Sequence, residues 1–70
     1  MTRLELMRVI VARRMAYGLT QGDMAKRIGV AQNRVSEYET CRHSPSADIL
    51  LRMLGVVGLE VTVPRKNELD

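Results

Sequence analysis

Gln32, Asn33 and Arg34 stand consecutively in the chain, with Ser36 and Glu37 just beyond them. Their chemistry is recognition by hydrogen bonds. The Gln and Asn amides carry a donor and an acceptor in the geometry that pairs bidentately with adenine, and the Arg guanidinium suits guanine O6 and N7 or a phosphate. Glu37 offers an acceptor for a cytosine amine; an acid at such a place also excludes wrong contacts or orients a neighbouring Arg34. Each of these side chains is equally at home on a solvated helix surface, so its meaning depends on the element that carries it.

Other chemistries find fewer supports. One histidine, His43, and one cysteine, Cys41, with no cluster of carboxylates, leave no nucleophile, base and orienting group to assemble. Cys41 and His43 lie two residues apart without a further thiol or imidazole, so a metal site would lack ligands, and a lone cysteine forms no internal disulfide framework. No Gly-rich phosphate cradle is present. The expectation is therefore no catalysis, no metal and no cofactor. With no Trp or Phe, and only Tyr17 and Tyr38, there is little to stack on unpaired bases, which argues against single-strand and RNA platforms. No apolar run approaches the length of a membrane span, and the N-terminal apolar periodicity is broken by Arg and Glu, unlike a secretion signal. The expected location is the cytoplasm, with no membrane partner.

The elements that must position Gln32 to Glu37 are helices. Leu4, Met7, Ile10, Val11 and Met15 recur at the spacing of one helical face, Thr2 and Glu5 have the form of a capping box, and Gly18 supplies a left-handed stop near Tyr17. Leu6 and Val9 lie off that stripe. Thr20 caps a second helix over 21–28, with Asp23 as the acidic member of a box and Gly29 as its stop; Gly22 in the first turn costs up to about 1 kcal/mol against Ala. A third helix is expected over 31–39, with Val35 and Tyr38 turned inward and no good cap at Val30 or Ala31. After a loop over 40–45, Ser46 caps a fourth helix with the stripe Ile49, Leu50, Met53, Leu54 and Val57, ended by Gly58.

Leu59, Glu60, Val61, Thr62 and Val63 then alternate apolar and polar, the pattern of a strand closed by Pro64, and 65–70 is a charged tail. A single strand cannot satisfy its own ladder groups. Its expected partner is the same strand of a second copy, which would bury Leu59, Val61 and Val63 in a homodimer; the alternative is an extended tail lying on the bundle. A homodimer also suits a 70-residue chain, since one domain this short buries only about 60% of its unfolded surface. Residues 1–58 thus form one helical domain, 59–64 a dimerisation strand and 65–70 the tail.

Between 21 and 38 the helices are joined by a tight glycine turn, the helix-turn-helix pattern. Ala25 is small where the two helices approach, Gly29 stands at the turn, and Met24, Ile28, Val30, Val35 and Tyr38 occupy inward positions. Here the chain resembles the lambda-repressor-like family of helix-turn-helix regulators. The residues that carry the likeness are Gly18-Leu19-Thr20-Gln21, Met24-Ala25, Ile28-Gly29-Val30, Gln32, Val35-Ser36, Glu39, Pro45-Ser46 and Leu50, in order and spacing over about residues 4–57. The strand after the fourth helix is similar to that of small dimeric antitoxins that neutralise a HipA-like kinase toxin.

The resemblance implies an all-α fold, a compact four- to five-helix lambda-repressor-like DNA-binding domain with one C-terminal β-strand pairing across a homodimer. It implies that Gln21 donates to a phosphate at the N-terminus of the second helix, a place that suits an anion. It further implies that the third helix lies in the major groove and presents Gln32, Asn33, Arg34 and Ser36, with Glu37 beside them. Arg42 and His43 are candidate backbone contacts, whereas Lys26 and Arg27 read as solubilising charge. Arg14 and Glu39 match a pair that bridges the first helix to the end of the third, a structural ion pair. Two departures are Arg13, where the family has an apolar residue, and Ala31, where Ser or Thr is common.

The charge distribution agrees with a polyanion partner. Residues 1–52 carry nine basic and five acidic side chains, +4, while residues 53–70 carry two basic and three acidic, −1. The resemblance therefore implies a homodimeric, sequence-specific repressor of double-stranded DNA with a palindromic operator. Its narrower form is the antitoxin of a type II toxin–antitoxin operon, autoregulating and binding a HipA-like kinase or ribonuclease toxin. The alternative is a phage or plasmid repressor, or a restriction–modification controller, without a toxin partner.

Overall fold

The computed structural model describes residues 1–59, and these form four helices: α1 (Arg3–Ala16), α2 (Gln21–Ile28), α3 (Gln32–Glu39) and α4 (Ala47–Val56). Three of the four starts follow from a cap. The Thr2 hydroxyl accepts from the Glu5 N–H at 3.2 Å and itself donates to the Glu5 carboxylate at 3.0 Å, so this box closes through the side chains. At α2 the box is complete: Asp23 N–H donates to the Thr20 hydroxyl at 3.0 Å and Thr20 N–H to the Asp23 carboxylate at 2.9 Å. Ser46 accepts from Ile49 N–H at 3.2 Å to start α4. Only α3 begins uncapped, because Ala31 has no side chain that accepts a hydrogen bond.

All four helices end in the same reverse turn, in which the second or third residue past the helix end donates to the carbonyl five residues back. Leu19 N–H reaches Arg14 O at 3.0 Å, Val30 reaches Ala25 O at 3.0 Å, Arg42 reaches Glu37 O at 2.9 Å and Leu59 reaches Leu54 O at 2.8 Å. This turn needs one left-handed residue. Gly18, Gly29 and Gly58 provide it after α1, α2 and α4, whereas after α3 it is Cys41, at φ +59°. A side chain in that region costs about 1–2 kcal/mol.

The core is built from Met7 and Ile10 of α1, Met24, Ala25 and Ile28 of α2, Val35 and Tyr38 of α3, and Met53, Leu54 and Val57 in and just after α4. The stripe expected on α1 needs correction. Met7 and Ile10 are buried, but Leu4 and Met15 are 47% and 66% exposed and Val11 is half-buried. Leu6, set outside the stripe, is instead half-buried against the core, and Val9 is exposed. The reason is Arg14: it takes the inward position one helical turn after Ile10, 9% exposed, and rotates the buried face to Met7, Ile10 and Arg14.

Three further arginines fasten helix ends. Arg13 Nε donates to Val57 O at 3.0 Å and its guanidinium lies over the Tyr17 ring, tying the end of α1 to the end of α4. Arg52 Nη1 donates to Ile28 O at 3.2 Å, closing the last turn of α2. Arg3 donates to the Ser44 hydroxyl and to Cys41 O, holding the loop after α3. Arg13, the departure from the family's apolar residue, is thus a carbonyl clamp.

Among the described residues there is no strand. Leu59, the first residue of the expected strand 59–64, uses its N–H to close α4 and packs partly buried against the core of its own chain. Glu60 to Pro64, with Val61 and Val63, and the tail 65–70 lie outside the described residues.

Candidate nucleic-acid interface

The arrangement of α3 begins with what it buries. Val35 is fully buried and Tyr38 nearly so, and they face Met24, Ala25 and Ile28 of α2, where the small Ala25 side chain allows close approach. Residues three apart on a helix share a face, so burying 35 and 38 turns the other azimuths outward. Gln32 and Asn33 are exposed, and Arg34, Ser36 and Glu37 are half-buried. Asn33, Arg34, Ser36 and Glu37 therefore lie off the packed face of the helix, whereas Gln32, three residues before Val35, stands at its edge on the α2 side. Gln32 is drawn against the first turn of α2: a Cβ on Gly22 would stand 3.3 Å from its Oε1. Gly22 leaves room for that side-chain end.

The C-terminal end of α3 is locked to α1. Arg14 Nε and Nη2 donate to the two carboxylate oxygens of Glu39 at 2.7 and 3.0 Å, a bidentate pair whose side chains are 10% and 6% exposed. Arg14 Nη1 donates to Leu19 O at 2.7 Å, and Gln21 Nε2 donates to Glu39 Oε1 at 3.1 Å. The network spans α1, the turn after it, α2 and α3, and no buried side-chain N or O among the described residues lacks a partner. Gln21, a candidate phosphate donor, thus holds Glu39 with its amide nitrogen; that nitrogen carries a second hydrogen.

A second group of polar side chains sits on the outward side. Glu37 Oε1 lies 3.8 Å from Arg34 Nη1 and Glu37 Oε2 lies 3.5 Å from His43 Nε2, with all three side chains partly exposed. The backbone joins them too: Glu37 O accepts from Arg42 N–H at 2.9 Å and His43 N–H at 3.3 Å. The turn at Cys41 so brings Arg42 and His43, both exposed, back beside α3. At the start of α2, the Thr20 backbone N–H, and then the Thr20 hydroxyl, hold the Asp23 carboxyl below its ordinary pKa against the opposing effect of desolvation, with Lys26 and Arg27 adding to the lowering. Lys26 and Arg27 themselves are exposed on the last turn of α2.

The structure thus gathers Gln32, Asn33, Arg34, Ser36, Glu37, Arg42 and His43 around α3 and its following turn, and places Gln21 in the network beneath. Of the expected dimer residues it describes Leu59 alone. Sequence reasoning missed the clamps Arg3, Arg13 and Arg52; the one available signal was Arg13 in a normally apolar position. Among the described residues, no group of three or more His, Cys, Asp or Glu residues could hold a metal ion, and no helix is long and apolar enough to cross a membrane. A family model described as helix-turn-helix matches residues 10–63. No curated protein and no solved structure matches the chain.

Proposed function

The chain belongs to the lambda-repressor-like helix-turn-helix family of DNA-binding transcription regulators, and from that premise we propose that it is a sequence-specific repressor of double-stranded DNA. The observation that carries the reading is the outward polar edge of α3, made by burying Val35 and Tyr38 and held from behind by the Arg14–Glu39 pair. In this account α3 enters the major groove, Gln32, Asn33 and Arg34 read base edges with Ser36 beside them, and Glu37 faces the same groove. Arg42, His43 and the second amide hydrogen of Gln21 bind phosphates and set the register. No cofactor and no catalytic step enter.

The regulator acts as a homodimer on a palindromic operator, its two recognition helices about 34 Å apart in successive major grooves. The dimer is held by residues 59–64, whose alternation places Leu59, Val61 and Val63 on one face of a ribbon. In its narrower form the protein is the antitoxin of a type II toxin–antitoxin operon, repressing that operon and binding its toxin through the folded body. That form rests on the same alternation.

Size-exclusion chromatography with light scattering, at about 0.15 M salt, tests the reading with and without the DNA upstream of the gene. The expected result is a dimer that shifts onto that DNA and not onto a scrambled duplex. A dimer indifferent to sequence overturns the repressor reading, and a monomer overturns the ribbon. Co-purification with a kinase or ribonuclease encoded beside it separates an antitoxin from a phage, plasmid or restriction–modification regulator.

A further inference from the structure

Glu37 is the one acid among the seven side chains gathered around α3, with one carboxylate oxygen toward the Arg34 guanidinium and the other toward the His43 imidazole. Its carboxylate lies 3.8 Å from Arg34 and 3.5 Å from His43, and its carbonyl receives the backbone N–H groups of Arg42 and His43. The loop after α3 is therefore fastened to Glu37 by main-chain hydrogen bonds, with the His43 imidazole brought beside its carboxylate. We propose that Glu37 is a positioning residue that sets sequence specificity: it reads no base, but holds Arg34 and His43 away from phosphate until the correct base pair draws Arg34 out. This rests on the repressor reading above.

The argument follows from how DNA affinity divides. Binding to random duplex comes almost wholly from cations on phosphates, with counterions released for each one neutralised. A carboxylate beside the Arg34 guanidinium removes that cation from the general attraction and competes with phosphate for the His43 imidazole, and its own charge opposes the phosphates. In the specific complex the guanidinium gains a bidentate partner on a base, which replaces the weak, solvent-screened contact to Glu37. The acid thus weakens non-specific binding more than specific binding. The arrangement is a restraint on wrong sites, made by a group that repels rather than one that attracts.

The test compares wild type and Glu37→Gln on the operator duplex and on a random duplex, with salt varied between about 0.05 and 0.2 M. One additional phosphate contact should tighten random binding about fivefold at 0.15 M salt and steepen its salt slope by about 0.9. The operator affinity should change less, so the operator-to-random ratio falls. In the Arg34→Ala, His43→Ala background the same Glu37→Gln change should move random binding less than about twofold, because the side chains it restrains are gone. Wild type that prefers its operator while Glu37→Gln leaves ratio and slope unchanged overturns the proposal alone. An effect undiminished in the double-alanine background also overturns it, since the charge would then act without the bridge. Wild type without preference for either duplex overturns the repressor reading and the proposal together.

Discussion

α2 and α3 are both eight residues long and pack against each other, yet they are finished differently. α2 has a complete capping box at Thr20 and Asp23, a glycine in its closing turn, and an arginine on its last carbonyl. α3 starts at an uncapped alanine and closes through a left-handed Cys41. α2 supplies three core residues from its own sequence, whereas α3 supplies Val35 and Tyr38 and otherwise shows polar side chains. What holds α3 comes from outside it: Arg14 and Gln21 on Glu39, and the α2 face beneath. Local signals build α2; tertiary contacts hold α3 and leave its outer side chains for recognition.

The comparison can be broken most sharply at the external lock. Glu39→Ala leaves Arg14 buried without its partner and should cost about 3–5 kcal/mol in urea denaturation, a large part of the stability of so small a domain. A loss under 1 kcal/mol would mean that α3 does not depend on α1. The caps give the next effect. Thr20→Ala should cost about 1 kcal/mol, whereas Ala31→Ser should add roughly 0.5–1 kcal/mol, by supplying to α3 the acceptor that α2 already has. Equal and opposite responses in thermal melts would sharpen the contrast; an Ala31→Ser variant no more stable than wild type would show that its uncapped start is already satisfied.

The smallest effect is a pH dependence. Because the Asp23 carboxyl sits below its ordinary pKa in the fold, its stabilisation is present above the ordinary carboxylate range and is lost as pH falls through the lowered value. Asp23→Asn should therefore melt below wild type at neutral pH, with the gap closing in acid. A gap independent of pH would remove the charge of Asp23 from the account.

Much of this was legible in the residues. Thr2, Thr20 and Ser46 marked three starts, and the glycines at 18, 29 and 58 three stops, because caps and left-handed turns are local chemistry. The polar edge of α3 could be read once Val35 and Tyr38 were taken as inward. The buried face of α1 was not read from its apolar spacing, although the resemblance paired Arg14 with Glu39: a charged side chain takes an apolar position only where a partner, here 25 residues away, meets it. Arg13 and Arg52 were not read as clamps because their partners are backbone carbonyls, which carry no sequence signal, and Arg3 because Cys41 O and the Ser44 hydroxyl come to it only once the loop after α3 has turned. Cys41 drew no reading as a turn residue, because its left-handed backbone is set by the closure of α3 and the pull of the loop toward Arg3 and Glu37. The contact of Glu37 with His43 likewise needed that turn to be in place.

The most direct measurement is the operator-to-random affinity ratio of Arg34→Ala against wild type, read by fluorescence anisotropy on the upstream DNA. If α3 reads bases through Arg34, the variant melts like wild type but loses about 1–3 kcal/mol of operator preference. A ratio identical to that of wild type, in a protein that still binds DNA, would contradict base reading by Arg34 from this helix.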